Sequence, residues 1–167
     1  PLGCRCRLSA TTSSMRVQLV NCYVAAALDV LAKETGLPVT RGGLQLEQNP
    51  YTTEAVTAMV GVSGDLAGSL YLSMSEETAL GLISAMLGQP TTEFGDLAQS
   101  GIAELANVIG GSAGVALAEA GHETHITPPL LLVGAGARLS SVEIQRIVVP
   151  LTTACVLVKI HVALRDA

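Results

Sequence analysis

The sequence predicts an α+β fold, an antiparallel-rich sheet packed against long helices. Three observations carry that expectation. Residues 54–75, "EAVTAMVGVSGDLAGSLYLSMS", hold two β-rich apolar runs around a glycine-punctuated turn. Two stretches of helical periodicity follow, and a β-branched tract at 142–164 closes the chain. The order is helix, strands, two helices, strands, without the regular alternation that builds a parallel sheet.

A length of 167 residues suits one domain with a sizeable core, and 49% apolar against 14% charged residues excludes a disordered chain. The first fourteen residues, "PLGCRCRLSATTSS", are small and polar without periodicity. They are expected to be a tag-derived or disordered leader, with Met15 as the natural start and residues 15–167 as the single domain. The first helix is expected from Asn21, a good N-cap, through the stripe Val24, Ala27, Leu28 and Leu31 to a stop at Gly36 and Pro38. "PVTRGGLQLEQ" is an extended segment broken by Gly42 and Gly43.

After the 54–75 hairpin, Ser73 or Ser75 caps a helix through "EETALGLISAML" that ends at Gly88 and Pro90. The next helix starts near Asp96 as N-cap and runs to about Ala120, with Leu97, Ala98, Ile102, Leu105, Ile109 and Leu117 as apolar flanks. Strands are expected within 122–134 and 142–164, with Pro128 and Pro129 between short extended pieces.

Composition narrows the partners. A formal net charge of −5, no dense Lys/Arg cluster, one Phe and no Trp argue against nucleic acid and anionic membranes. The most apolar tract, "IVVPLTTACVLVKIHVAL", is interrupted by Pro150, Lys159 and His161 and suits strands, not a membrane span. No apolar segment of secretory type follows Arg5 and Arg7, and Cys4, Cys6, Cys22 and Cys155 show no zinc spacing. A reduced, cytoplasmic setting is expected. Cys4-x-Cys6 and "GHETH", with His122, Glu123 and His125, can each be drawn as a metal site, or as idle thiols and a turn with exposed histidines.

The informative stretch is "QSGIAELANVIGG", residues 99–111. Ser100, Glu104 and Asn107 fall at i, i+4 and i+7 and so share one helix face. Gly110, Gly111 and Gly114 cost that helix roughly 1 kcal/mol each relative to Ala. Such glycines suit close approach by another backbone or by a partner. The Gly61/Gly64/Gly68 series has no following Lys-Ser/Thr and is hairpin punctuation, and Ser140-Ser141 has no His/Asp arrangement for a nucleophile.

After Ser100-x3-Glu104-x2-Asn107, twenty-one residues intervene before Pro129. This spacing resembles the signature of the CheX/CheC/FliY family of chemotaxis phosphatases, (Asp or Ser)-x3-Glu-x2-Asn-x21-Pro. "VSGDLAGSLYLSMSEETALGLISAMLG", "ITPPLLLVGAG" and "IVVPLTTACVLVKIHVAL" resemble the family's flanking blocks. The resemblance implies a CheC-like fold and, with one Glu-x-x-Asn helix, the single-site CheX-like arrangement and a homodimer. It implies hydrolysis of a phospho-aspartate on a CheY-like receiver, with Glu104 and Asn107 catalytic and Ser100, Gly111 and Pro129 in partner contact. No cofactor is expected on this chain, the Mg²⁺ being held in the partner receiver. A non-enzymatic receiver-binding or assembly module using the same helix is the rival class, and a structural subunit of the flagellar switch a third.

Overall fold

The structure is a computed structural model that describes residues 8–139, 145–154 and 156–167, with side chains from Val17 onward. In chain order the elements are α1 (Leu8–Thr35), β1 (Thr40–Arg41), β2 (Gln45–Glu47), β3 (Tyr51–Thr52), β4 (Val56–Gly64) and β5 (Leu66–Met74). Then come α2 (Glu76–Leu87), α3 (Asp96–Glu119), β6 (Thr124–Ile126), β7 (Leu130–Val133), β8 (Arg138–Leu139), β9 (Arg146–Thr152) and β10 (Leu157–Asp166). Cys4, Cys6, Ser140, Ser141 and Cys155 lie outside the described residues.

The main sheet runs β1-β9-β10-β5-β4-β6, with β2 also on β9 and β7 also on β4. Every described pairing is antiparallel. One face is apolar by simple alternation: Val56, Ala58, Val60 and Val62 of β4, Leu70, Leu72 and Met74 of β5, and Val158, Ile160 and Val162 of β10 are buried there. Helices α1 and α3 cross this face and pack on each other, with α2 against both. Burying each such Leu or Ile side chain is worth about 1.5–3 kcal/mol, which is what mounts the helices on the sheet.

The first helix departs from expectation at its start. Asn21 does not cap α1 but lies within it, its side-chain oxygen accepting from Arg41 Nη1 at 3.4 Å. Residues 8–20 hold neither Gly nor Pro, so nothing in them stops a helix that the Leu19, Val20, Tyr23, Val24, Ala27 and Leu31 stripe anchors. The described helix thus reaches back to Leu8, within the stretch expected to be a leader.

Two further caps differ from the expected residue. Ser75, not Ser73, caps α2, accepting from the Thr78 amide at 3.1 Å. Ser73 is the penultimate residue of β5 and fully buried, 2.8 Å from His161 Nε2. Gly95, not Asp96, is the N-cap of α3, and Asp96 sits in the first turn, where the helix dipole favours its charge. Gly88 closes α2 in the left-handed region, at φ 66.

The opposite face of the sheet carries an arrangement absent from the sequence reading. A two-stranded sheet of β3 and β8 brings Tyr51 over it, 5.2 Å from Tyr71 and 4.9 Å from His161 between ring centroids. The Tyr51 and Thr57 hydroxyls are 2.9 Å apart, and the Arg146 guanidinium lies 5.1 Å over the Tyr51 ring while paired with Glu47. His161 is pushed down to about 3, first by burial and then by the Arg146 and Lys159 cations, so its imidazole is neutral.

Candidate functional site

The candidate site is the outward face of α3. The inward face, with Ala98, Ile102, Leu105, Ala106, Ile109, Ala113 and Leu117 buried at 2% exposure or less, fixes the helix on the core. Two glycines set how closely it sits. A Cβ on Gly101 would come within 2.5 Å of Ile83 Cδ1 of α2, and one on Gly110 would meet Val60 Cγ1 at 3.4 Å and Ile126 at 3.6 Å. The helix is therefore pressed against α2 at one point and against β4 and β6 at another.

That mounting leaves Ser100 and Glu104 exposed and Asn107 half-buried. The Asn107 amide Nδ2 donates to Glu104 Oε2 at 3.4 Å, the two being one helical turn apart. Gly111 follows on the same face with nothing within 4 Å of its would-be Cβ. Ser100, Glu104, Asn107 and Gly111 are thus brought together, as their spacing predicts.

Pro129 belongs to a different element. It stands between β6 and β7, three residues beyond the Ile126 on which Gly110 packs, at the sheet edge that α3 crosses. Thr127 ties this connection to β4: its amide donates to the Gly61 carbonyl at 3.0 Å, and its hydroxyl accepts from the Gly61 amide at 2.9 Å. Two prolines then deny the link further amide donors, so its course is set by Thr127.

The "GHETH" segment is structural. The Asp65 carboxylate accepts from the Glu123 amide at 2.8 Å, and the Asp65 amide donates to the Glu123 carbonyl at 2.9 Å. This reciprocal pair pins the β4–β5 turn to the start of β6, and His125 lies exposed on that strand instead of in a turn. Among the described residues no group of three or more His, Cys, Asp or Glu side chains is placed to hold a metal ion.

Leu97 is the one apolar flank of the helix that does not join the core: it is 66% exposed. Val108 and Val115 are exposed on the same side, at 38% and 63%. Apolar type gave no hint of this, because these positions differ from their buried neighbours only in helical phase.

Chemically, between its end residues Asp96 and Glu119 the face offers one carboxylate, one amide and one hydroxyl on a rigid support. An amide can hold a water by donating and accepting at once, without taking its proton. A lone carboxylate can pair with a cation but cannot cage a divalent metal, which takes six or more oxygens.

Comparison with known proteins identifies relatives of the chain and of its fold. A family profile described as "Chemotaxis phosphatase CheX" matches residues 56–152. The protein named CheY-P phosphatase CheX of Thermotoga maritima is 28% identical over 128 residues, spanning 76% of this chain and 83% of its own. Among solved structures, a CheC-like protein of Shewanella sp. PV-4 superposes with a TM-score of 0.81 at 21% identity, covering 90% of this chain and 99% of that one. The CheX of a Borrelia burgdorferi CheX-CheY-BeF3-Mg²⁺ complex gives 0.78 at 23% identity, covering 89% and 98%. At these identities the structural matches establish a shared CheC-like fold.

Proposed function

The chain belongs to the CheX family of chemotaxis phosphatases, and on that premise we propose that it dephosphorylates the phospho-aspartate of a CheY-like response regulator, with Glu104 and Asn107 as its working pair. The observation that carries this reading is their adjacency on an outward face of a helix whose other face is core. The Thermotoga maritima relative bears the name of this activity.

In this mechanism α3 docks on the receiver and Asn107 enters the acyl-phosphate site. Its amide orients a water in line with the phosphorus, and the catalytic gain comes from position and electrostatics. Glu104 is too negative to stabilise a phosphoryl group directly. It pairs instead with the receiver's lysine, anchoring the helix so that one docking event seats both residues. Ser100, Gly111 and Pro129 shape the contact around them.

Mg²⁺ belongs to the receiver in this reading. Between its end residues Asp96 and Glu119, α3 carries a single carboxylate, Glu104, which alone does not make a resident divalent site, so the ion arrives with the substrate. The acting unit is residues 15–167, in the cytoplasm with its receiver. It is a homodimer joined through β7, which pairs only with β4 among the described strands and exposes Leu130 and Val133 at 50% and 55%.

A phosphate-release assay with phosphorylated receivers from the same genome tests the activity. Faster release with the wild-type chain and not with an Asn107 variant is expected. Tight receiver binding without faster release would make the protein a binding module instead.

A further inference from the structure

We propose that Leu97, Val108 and Val115 form, around Glu104 and Gly111, the strip of α3 that selects the partner, taking a receiver face built as an apolar ridge beside one basic group. The inference rests on the phosphatase reading above and extends it from the chemistry to recognition.

At about 100° per residue, Leu97 and Val115 lie about 20° from Glu104 around the helix, Val108 about 40° on the same side, and Asn107 about 60° on the other. The three apolar side chains therefore make one line beside the working pair. Their exposures, 66%, 38% and 63%, show that nothing among the described residues covers that line.

From Leu97 to Ala118 the helix carries one charged residue, Glu104. A helix face that merely meets solvent is laced with charges, whereas the centre of a protein interface is depleted in them and apolar. A single carboxylate inside an apolar strip calls for a single cation on whatever covers it.

Gly111 sits between Val108 and Val115 with open space where a Cβ would stand. This notch admits a side chain or backbone from the partner, and it lies about 20° from Glu104 on the Asn107 side. The strip from Leu97 to Val115 is about 27 Å long at 1.5 Å per residue. A standard interface buries about 800 Å² on each partner, a patch roughly that long on a side, so the strip spans one.

The test uses the full chain with Leu97→Ser and Val115→Ser, and receivers activated with beryllofluoride. Thermal melts establish that the variants fold, as their exposed positions predict. The Kd for the activated receiver and the KM for its phosphorylated form should each rise at least about tenfold, with kcat unchanged. A wild type that binds and loses affinity on these substitutions, yet does not speed phosphate release, supports the strip and overturns the enzymatic reading. Unchanged Kd and KM in an active protein overturn the strip and leave the phosphatase intact. A shift in oligomeric state without a change in receiver affinity would assign the strip to a second copy of the chain and overturn the proposal.

Discussion

Asn107 and Glu104 satisfy each other: the Asn107 amide donates to the Glu104 carboxylate across one helical turn at 3.4 Å. The bond is longer than the 2.7–3.2 Å typical of N–H···O contacts, so breaking it costs little. In the proposed docking, a cation on the receiver takes the carboxylate. Docking then releases the amide that the proposed chemistry needs, which couples anchoring to positioning through two adjacent residues.

Asn107→Ala separates the two roles. Losing one positioned polar group of this kind costs roughly 10²–10³ in rate. Stimulated dephosphorylation should fall by that factor at saturating protein, while affinity for a beryllofluoride-activated receiver changes little. Near-full kcat in stopped-flow or phosphate-release measurements would remove Asn107 from the chemistry.

Glu104→Gln should act on binding. Truncating one partner of a desolvated charge pair costs on the order of 2–5 kcal/mol, and the neutral isostere keeps part of that by hydrogen bonding. Fluorescence anisotropy should show weaker association than for Asn107→Ala. Equal affinities of variant and wild type would sink the anchoring role.

Gly111→Ala should move stability and recognition in opposite directions. The backbone is helical and the would-be Cβ meets nothing, so the substitution should gain up to about 1 kcal/mol, or about 2–4 °C in Tm. The same methyl fills the notch in the proposed docking strip, and KM should rise severalfold. A higher Tm with unchanged KM would show that the partner does not reach Gly111.

His161 should make stability depend on acid. Its imidazole is pushed down from 6.5 to about 3 by burial, then by Arg146 and Lys159. In the unfolded chain it takes a proton as pH falls below about 6.5; in the folded protein it does not until about 3. Its contribution is therefore complete above pH 6.5 and lost progressively between 6.5 and 3, by at most about 1.4 kcal/mol per pH unit. Urea melts across that window should be flatter for His161→Asn than for wild type. Parallel curves would mean that another group governs acid sensitivity.

The layout of the fold was legible where local pattern decides it. The 54–75 hairpin, the two helices after it and the closing strands stand where alternation, helical periodicity and the Gly88 stop put them. The site helix was legible too, because i, i+4, i+7 spacing is a geometric statement about one face. Tertiary pairing was not. Tyr51, Thr57, Ser73 and His161 are brought together by β3–β8 pairing and by the β5–β10 register, neither of which has a local signal. Ser73 looked like a cap because it has a capping residue's chemistry, and only its burial beside His161 shows that it serves the sheet. Leu97 looked like core for the same reason in reverse.

Mounting the working pair on α3 has a consequence for the signalling circuit. The helix is also the central strut of the core, locked by Ile102, Leu105 and Ile109 at 2% exposure or less. A site built on so tightly packed an element keeps its geometry whether or not a receiver is present. If the proposed pair works there, turnover per encounter is a fixed property of the protein, and the lifetime of the phosphorylated signal should scale with how much of the chain a cell makes.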